Sequence, residues 1–288
     1  MDWDISTKKV LITGATSGIG KATLIDLAKS KAFVIFTARD KNKALTVLKE
    51  AKELSKNENI EFFEVDLSSF KSILDFLKRF KEKHNKLDIL INNAGTWNMR
   101  LALTEDGIEK TFMVNYLAPF YITHSLLPLL SEGSPSRIIN VSSAMHKGGK
   151  INLDDLESRN HYNGIQSYSN SKLMILMFTI ELAKRLKDKG IYVFAVHPGL
   201  VKTQIFSNFP KPIRDLFLIG AKTPEEGAKT SIYLAKTKDI EYLTGNYFAD
   251  SKPTDYLKIA DNEDLRKKLW DKTTDYIKKY INDFEPLV

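Results

Sequence analysis

The stretch Val10-Leu-Ile-Thr-Gly-Ala-Thr-Ser-Gly-Ile-Gly20 constrains this chain more than any other. Val10-Leu11-Ile12 is a short apolar run of the kind a buried strand presents. It breaks at Gly14, and a helical pattern is under way by Lys21. The glycines at 14, 18 and 20 spell G-x-x-x-G-x-G. Gly14 permits a tight turn off the strand, Gly18 removes a Cβ where a pyrophosphate must approach the backbone, and Gly20 lets the helix lie close to the strand. Thr13, Thr16 and Ser17 set hydroxyls beside the first amides of the helix, around Gly18, Ile19 and Gly20. Unpaired N–H groups and the helix dipole make such a terminus an anion site. A glycine-rich strand-to-helix turn with no ligand spells the same pattern, so the rest of the chain must decide.

Strand and helix patterns alternate along the 288 residues. Strands are expected at 10–12, 33–36, 60–65, 87–91, 137–141 and 191–196, with a last short one at 246–248. Helices are expected at 20–30, between the second and third strands, at 70–83, 106–130 and 168–189, from Pro224, and at 261–281. Ser68 and Ser69 are candidate caps for the helix at 70–83, and Pro224 suits a first helical turn. The alternation predicts one doubly wound α/β domain, a parallel sheet with helices on both faces, spanning 1–288. With 43% hydrophobic and 27% charged residues, the chain can bury a core without staples. It has no cysteine, which excludes disulfides, thiolate metal sites and cysteine nucleophiles. The five histidines and the carboxylates show no metal spacing. The net charge of +7 is dispersed among Glu and Asp on helical segments and accompanies no reader motif, so nucleic acid is not an expected partner. Met1–Lys9 is charged, so no signal peptide is expected. The apolar run Leu173–Phe178 is too short to span a bilayer. A cytoplasmic location is therefore expected, with peripheral membrane contact left open by the basic surface.

Polar clusters fall at the carboxyl ends of successive expected strands: the glycine turn, Ala38-Arg39, Asp66, Asn92–Gly95, Ser142-Ser143 and His197–Gly199. In an open parallel sheet that edge binds ligands. Tyr168 and Lys172 stand four apart, on one face of a helix. A neighbouring ammonium favours the phenolate, so the pair is expected to hold a tyrosine of lowered pKa, usable as a general acid or base.

The glycine turn, Asn92-Asn93-Ala94-Gly95, Asn115, Ser142-Ser143, Tyr168/Lys172 and Pro198-Gly199 occur in one order. Together they resemble the short-chain dehydrogenase/reductase family, in the form with this glycine spacing and not the extended form. The likeness covers about residues 8–249 and implies a Rossmann-type fold. Within the family the chain is similar to the retinol dehydrogenase branch, which includes the oxidoreductase part of WW-domain oxidoreductases. Arg39-Asp40, Arg137–Ser143, the loop from 143 to 168, Thr223–Ala228, Gly245–Phe248 and Leu269-Trp270 carry that similarity.

The resemblance implies that Tyr168 exchanges a proton with a carbonyl or alcohol during hydride transfer. Lys172 lowers the tyrosine pKa and holds the nicotinamide ribose, and Ser143, the second serine of its pair, bonds the reacting oxygen. Asn115 is expected either to hold a water that links Lys172 to solvent or to be satisfied by a backbone carbonyl. Asn92, with Ala94 and Gly95, is assigned to the cofactor ribose. Asp66 is assigned to the adenine, to a helix cap, or to both, and Leu67 contributes backbone. Pro198, Gly199 and Val201 are to line the nicotinamide, and Thr203 its carboxamide. His197 is expected to pack at its strand end, because Tyr168 fills the role of base. Ala38 occupies the place of the acidic residue that would bond a free 2′-hydroxyl, and Arg39 offers a fork matched to a 2′-phosphate. NADP(H) is therefore the expected cofactor, the alternative being an Arg39 paired with Asp40 or Glu64.

On the substrate side, residues 204–221 form an apolar, proline-interrupted segment: a lid over an apolar carbonyl or alcohol, a cover for the core, or a membrane contact. Trp97 is placed to add apolar wall. The apolar face of 173–183 reads as core or as a subunit interface, which leaves a homodimer open. Asn140-Val141-Ser142 matches a glycosylation acceptor but lies on an expected buried strand. Two rival readings are an NADP-binding sensor or scaffold with little turnover, which has no need of Ser143, Tyr168 and Lys172 together, and a C=C reductase.

Overall fold

The computed structural model describes residues 3–203, 205 and 220–288. The first half runs β1 (Lys9–Ile12), α1 (Gly18–Lys29), β2 (Phe33–Ala38), α2 (Lys41–Ser55), β3 (Ile60–Glu64), α3 (Phe70–Lys83) and β4 (Ile89–Asn92). Next come α4 (Lys110–Phe112), a π-helical stretch (Met113–Leu117), α5 (Ala118–Glu132), β5 (Ser136–Val141), α6 (Gly164–Arg185) and β6 (Ile191–His197). The described chain closes with α7 (Pro224–Lys236), β7 (Tyr247–Ala249), β8 (Lys252–Pro253) and α8 (Glu263–Lys278).

Successive strand side chains point to opposite faces, and here both faces are apolar. Leu11, Ile35, Leu90, Ile138 and Val193 enter a layer beneath α3, α5, α6 and α8. Their neighbours Val10, Ile12, Val34, Ile91, Ile139 and Phe194 enter a layer beneath α1, α2 and α7. That double burial is why these strands read as continuous apolar runs. The sheet order is β3-β2-β1-β4-β5-β6-β7-β8, parallel up to β7 and antiparallel at β8. This is the expected doubly wound, Rossmann-type sheet. The chain winds outward from β1 to β3, then crosses back to β4 beside β1, which opens a crevice at the carboxyl ends of those two strands.

Caps explain where several boundaries fall. Helix α3 takes the expected 70–83, with the Ser69 hydroxyl accepting from Ser72 N–H. Helix α6 starts at Gly164, ahead of the expected 168, because the Asn163 side chain caps the amides of Ile165 and Gln166. The helix expected at 106–130 begins only at Lys110, where the Glu109 side chain caps it by accepting from Phe112 N–H, while the Asp106 carboxylate accepts from Phe70 N–H at the head of α3. The terminal helix is 263–278, capped by Asn262. Strand β8 was not expected.

The apolar face of 173–183 is core. Phe178 packs on Phe120 (centroids 4.9 Å apart) and on Trp270 of α8 (5.8 Å), and the Arg185 guanidinium lies 4.1 Å from the Trp270 ring. Asn140 is likewise interior, donating to the Thr179 hydroxyl. Among the described residues no helix is long and apolar enough to cross a membrane.

Candidate active site

A cleft of about 720 Å³ runs along the carboxyl ends of the strands. The α1 turn borders it through Gly14, Thr16, Ser17, Gly18, Ile19 and Gly20. Arg39, Asp66 and Leu67 border it beyond β2 and β3, and Ala94 and Gly95 after β4. Ser143, Tyr168 and Lys172 line it beyond β5, with Pro198, Gly199, Val201 and Thr203 after β6.

The turn is held by close backbone approach. Gly14 has φ +67°, and a Cβ there would lie 2.9 Å from the Ala94 Cβ. A Cβ on Gly20 would lie 2.5 Å from the Asn93 amide nitrogen and 2.6 Å from the Gly14 carbonyl oxygen. That amide donates to the carbonyls of Thr13 (2.8 Å) and Gly14 (3.0 Å), stitching β1 to β4. Ser17 takes the N-cap position of α1 without a side-chain cap bond, so its hydroxyl and the first helical amides stay available to an anion. Thr13 does not join them. Its hydroxyl accepts from Asn93 N–H (3.0 Å) and Ala94 N–H (3.1 Å), a structural task.

Asn92 is a correction. Its side chain donates to Thr123 Oγ1 (3.0 Å) and Asn140 Oδ1 (2.8 Å), and it does not line the cleft. Parity along β4 explains this: Asn92 shares the face of Leu90, toward α5, and pairs in register with Asn140. The neighbouring Asn93 faces the cleft instead. Parity was readable in the sequence and would have found it.

Asp66 caps its own turn, accepting from the Ser68 amide (2.9 Å) and hydroxyl (2.6 Å), while still bordering the cleft. Arg39 makes no hydrogen bond or ion pair with any described residue. The Asp40 carboxylate caps α2, accepting from Asn42 and Lys43 N–H, and those amides hold its pKa below the usual range. The Arg39 charge also lowers the Asp40 pKa, but the two side chains do not close into a hydrogen-bonded ion pair.

Ser142 and Ser143 make different contacts. The Ser142 hydroxyl donates to the Lys172 carbonyl (2.8 Å), whereas the Ser143 hydroxyl accepts from Met145 N–H (3.2 Å) and borders the cleft with Tyr168. Lys172 Nζ donates to the Val141 carbonyl (2.9 Å) and lies 5.6 Å from the Tyr168 ring centroid. No other hydrogen bond to a described residue uses its remaining two N–H groups, which border the cleft. The expectation of a lowered tyrosine pKa is overturned. Burial pushes the Tyr168 phenol up to about 12, with the nearby Ser143 hydroxyl acting the other way, and burial brings Lys172 down to about 8. Four-residue spacing puts the two on one face but says nothing of desolvation, which sets the direction of both shifts.

Asn115 lies in the π-helical stretch. Its amide donates to the Thr96 carbonyl (2.9 Å) and to Ser171 Oγ (3.0 Å), and its Oδ1 accepts from Thr96 N–H (2.8 Å). These are the backbone bonds of one of the two roles considered, and the side chain does not line the cleft. His197 Nδ1 accepts from the amides of Ala144 (3.2 Å) and Gly199 (3.4 Å), and burial pulls its pKa to about 4. It is therefore a neutral packing group at the end of β6.

Trp97 does more than add wall. Its ring stacks on Tyr168 at 4.3 Å and 8°, and its indole N–H donates to the Gly164 carbonyl (2.9 Å). Met99, Met145 and Ile205 pack around the pair. Of the expected lid, Gln204 and Phe206–Ile219 lie outside the described residues. Residues the sequence reading missed include Thr37, whose hydroxyl accepts from Gly14 N–H (3.2 Å), and Asn98, Lys110 and Val114, which reach the cleft from a stretch without motif.

The short chain dehydrogenase family matches residues 8–213. Retinol dehydrogenase 11 of Homo sapiens is 40% identical over 272 residues, covering 94% of this chain and 86% of the relative. Retinol dehydrogenase 14 of Homo sapiens is 40% identical over 283 residues, covering 92% and 84%. Among solved structures, an uncharacterized protein from Mycobacterium Paratuberculosis superposes with a TM-score of 0.78 at 30% identity over 96% of both chains. A Pseudomonas aeruginosa RhlG/NADP active-site complex gives 0.68 at 28% identity, over 86% of this chain and 97% of that one. On this sheet, this cleft and these matches, the chain belongs to the short chain dehydrogenase family, on its retinol dehydrogenase-like branch, and is an oxidoreductase.

Proposed function

We propose that this oxidoreductase uses NADP(H) to interconvert a carbonyl and an alcohol on an apolar substrate, of retinoid, lipid-aldehyde or steroid-like kind. One observation carries the reading: Ser143, Tyr168 and Lys172 converge in the same cleft as the uncapped α1 terminus and Arg39. The residues present fit a dinucleotide. Arg39 meets a 2′-phosphate, Asp66 and Leu67 the adenine, and the Thr16–Gly20 backbone the pyrophosphate. Ala94, Gly95 and the two remaining donors of Lys172 hold sugar oxygens. Pro198, Gly199, Val201 and Thr203 frame the nicotinamide. When bound, that ring supplies or accepts the hydride.

The chain's own groups manage the proton and the oxygen. Ser143 donates to the substrate oxygen and orients it. Tyr168, neutral through burial, is in the form that donates a proton to a carbonyl oxygen as it gains negative charge. Trp97 fixes the plane of the phenol and excludes water from one of its faces. Trp97, Met145 and Ile205 make the wall beside Tyr168 apolar, which suits a hydrocarbon substituent on the reacting carbon. The names of the retinol dehydrogenases and of the RhlG/NADP complex support the same substrate class and cofactor.

The test follows NADPH absorbance against carbonyls ranging from short polar ketones to long-chain aldehydes and retinal, with NADH and Tyr168→Phe in parallel. Turnover of apolar carbonyls, faster with NADPH and reduced by about 10²–10⁴ in Tyr168→Phe with cofactor binding kept, is expected. Bound NADPH without turnover of any carbonyl would favour the sensor reading.

A further inference from the structure

His146 is fully buried in the 3-10 turn that follows Ser143, Ala144–Gly148. Its two ring nitrogens meet partners whose roles are fixed and opposite. Nδ1 lies 2.7 Å from the Ser143 carbonyl oxygen, which only accepts. Nε2 lies 3.2 Å from the Leu257 backbone nitrogen, whose N–H only donates. One tautomer satisfies both: Nδ1–H donates to Ser143, and bare Nε2 accepts from Leu257. The imidazolium would set two N–H groups against each other at Leu257. The Ser143 carbonyl also accepts the His146 backbone N–H (3.1 Å), so two donors of one residue hold it.

The other end of this bridge is equally tied. Leu257 heads the turn Lys258–Asp261. The Ala260 carbonyl accepts from Arg266 Nη1 (2.8 Å), and Arg266 Nε pairs with Glu181 of α6 (3.3 Å). Tyr247 of β7 meets the His146 ring edge-on at 4.8 Å. The segment 254–261 does not line the cleft.

We propose that His146 is a positioning residue that ties the catalytic Ser143 to segment 254–261, so that chain remote from substrate and cofactor holds the reacting hydroxyl in register. This rests on the role proposed for Ser143. The titratable groups around His146 are Lys147 on its own turn, His197 on β6, Tyr247 on β7 and, beyond Tyr247, Tyr256 with its partner Asp261. Burial, with the Lys147 charge, holds the imidazole below its ordinary pKa, so the bridge persists at neutral pH and opens in acid.

Three variants separate the two bonds. His146→Asn keeps a donor near the Nδ1 position, His146→Gln keeps an acceptor near the Nε2 position, and His146→Ala keeps neither. Nitrogen NMR of wild type reads the tautomer. Amide exchange reads Leu257 and residues 144–149, and steady-state reduction reads kcat and KM. Expected are an Nδ1–H tautomer, coupled exchange of both stretches in the Ala variant, and a kcat loss of about tenfold at unchanged cofactor KM, the kinetic equivalent of one buried hydrogen bond. The Asn variant, with Leu257 released, is expected to recover only part of that loss. An Nε2–H tautomer, full kcat in the Asn variant while Leu257 exchanges freely, or uncoupled exchange would overturn the proposal. A wild type that reduces no carbonyl would count against the proposed carbonyl chemistry alone, because tautomer and exchange still decide whether the tie exists.

Discussion

Replacing Lys172 with Met should stabilise the cofactor-free protein while abolishing turnover. The lysine is buried, and burial takes its pKa from 10.5 to about 8. At neutral pH both folded and unfolded chains hold the proton, so the folded state bears the whole penalty of the buried ammonium, about 3 kcal/mol for that displacement. Methionine matches the stem without the charge. It forfeits the Nζ bond to the Val141 carbonyl, worth about 1 kcal/mol, which leaves a net gain of about 2 kcal/mol. Between pH 8 and 10.5 the unfolded wild type holds more protons than the folded one, so wild-type stability rises with pH and the advantage of the variant shrinks across that window. Urea unfolding of both proteins at a series of pH values measures the gap, and turnover is followed in parallel. A variant less stable at neutral pH, or an advantage that does not change with pH, would refute the reasoning.

Arg39→Asp should weaken NADPH binding by about ten- to a hundredfold, the range of a lost charge-assisted contact, and leave NADH little changed; fluorescence titration of both cofactors decides. Trp97→Ala removes the stack on Tyr168 and the indole bond to Gly164, so unfolding free energy should fall by about 2 kcal/mol and kcat by about tenfold, with branched ketones gaining on linear aldehydes. An unchanged size preference would argue against Trp97 as the wall. Trp270→Ala should cost about 4 kcal/mol in urea unfolding, since the ring fills the space between Phe120, Phe178 and Arg185. A loss below about 1 kcal/mol would mean that α8 is not anchored through it.

What the sequence made legible was local. The strand, glycine turn and helix at 9–29, the capped helix at 70–83 and the Tyr168/Lys172 spacing depend on neighbours along the chain, and each stands where it was expected. What it hid depends on partners remote in sequence. Thr13 reads as a phosphate-site hydroxyl until β4 takes it, and Asn92 reads as a ligand contact until Asn140 pairs with it across the sheet. The raised Tyr168 pKa follows from burial, and the stack of Trp97 on Tyr168 joins residues with no shared motif. The π-helical stretch at Asn115 carries no composition signal distinct from the helix around it.

Helix α8 has a consequence for the order of events during synthesis. The seam between α5 and α6 is covered only when Trp270 reaches Phe120 and Phe178. A ribosome emits the chain from its amino end, so every strand from β1 to β8 is complete before that cover exists. For that interval the nascent protein carries a finished sheet whose helices α5 and α6 still expose the apolar seam of Phe120 and Phe178, which makes it a client for chaperones and sensitive to stalling upstream of residue 263.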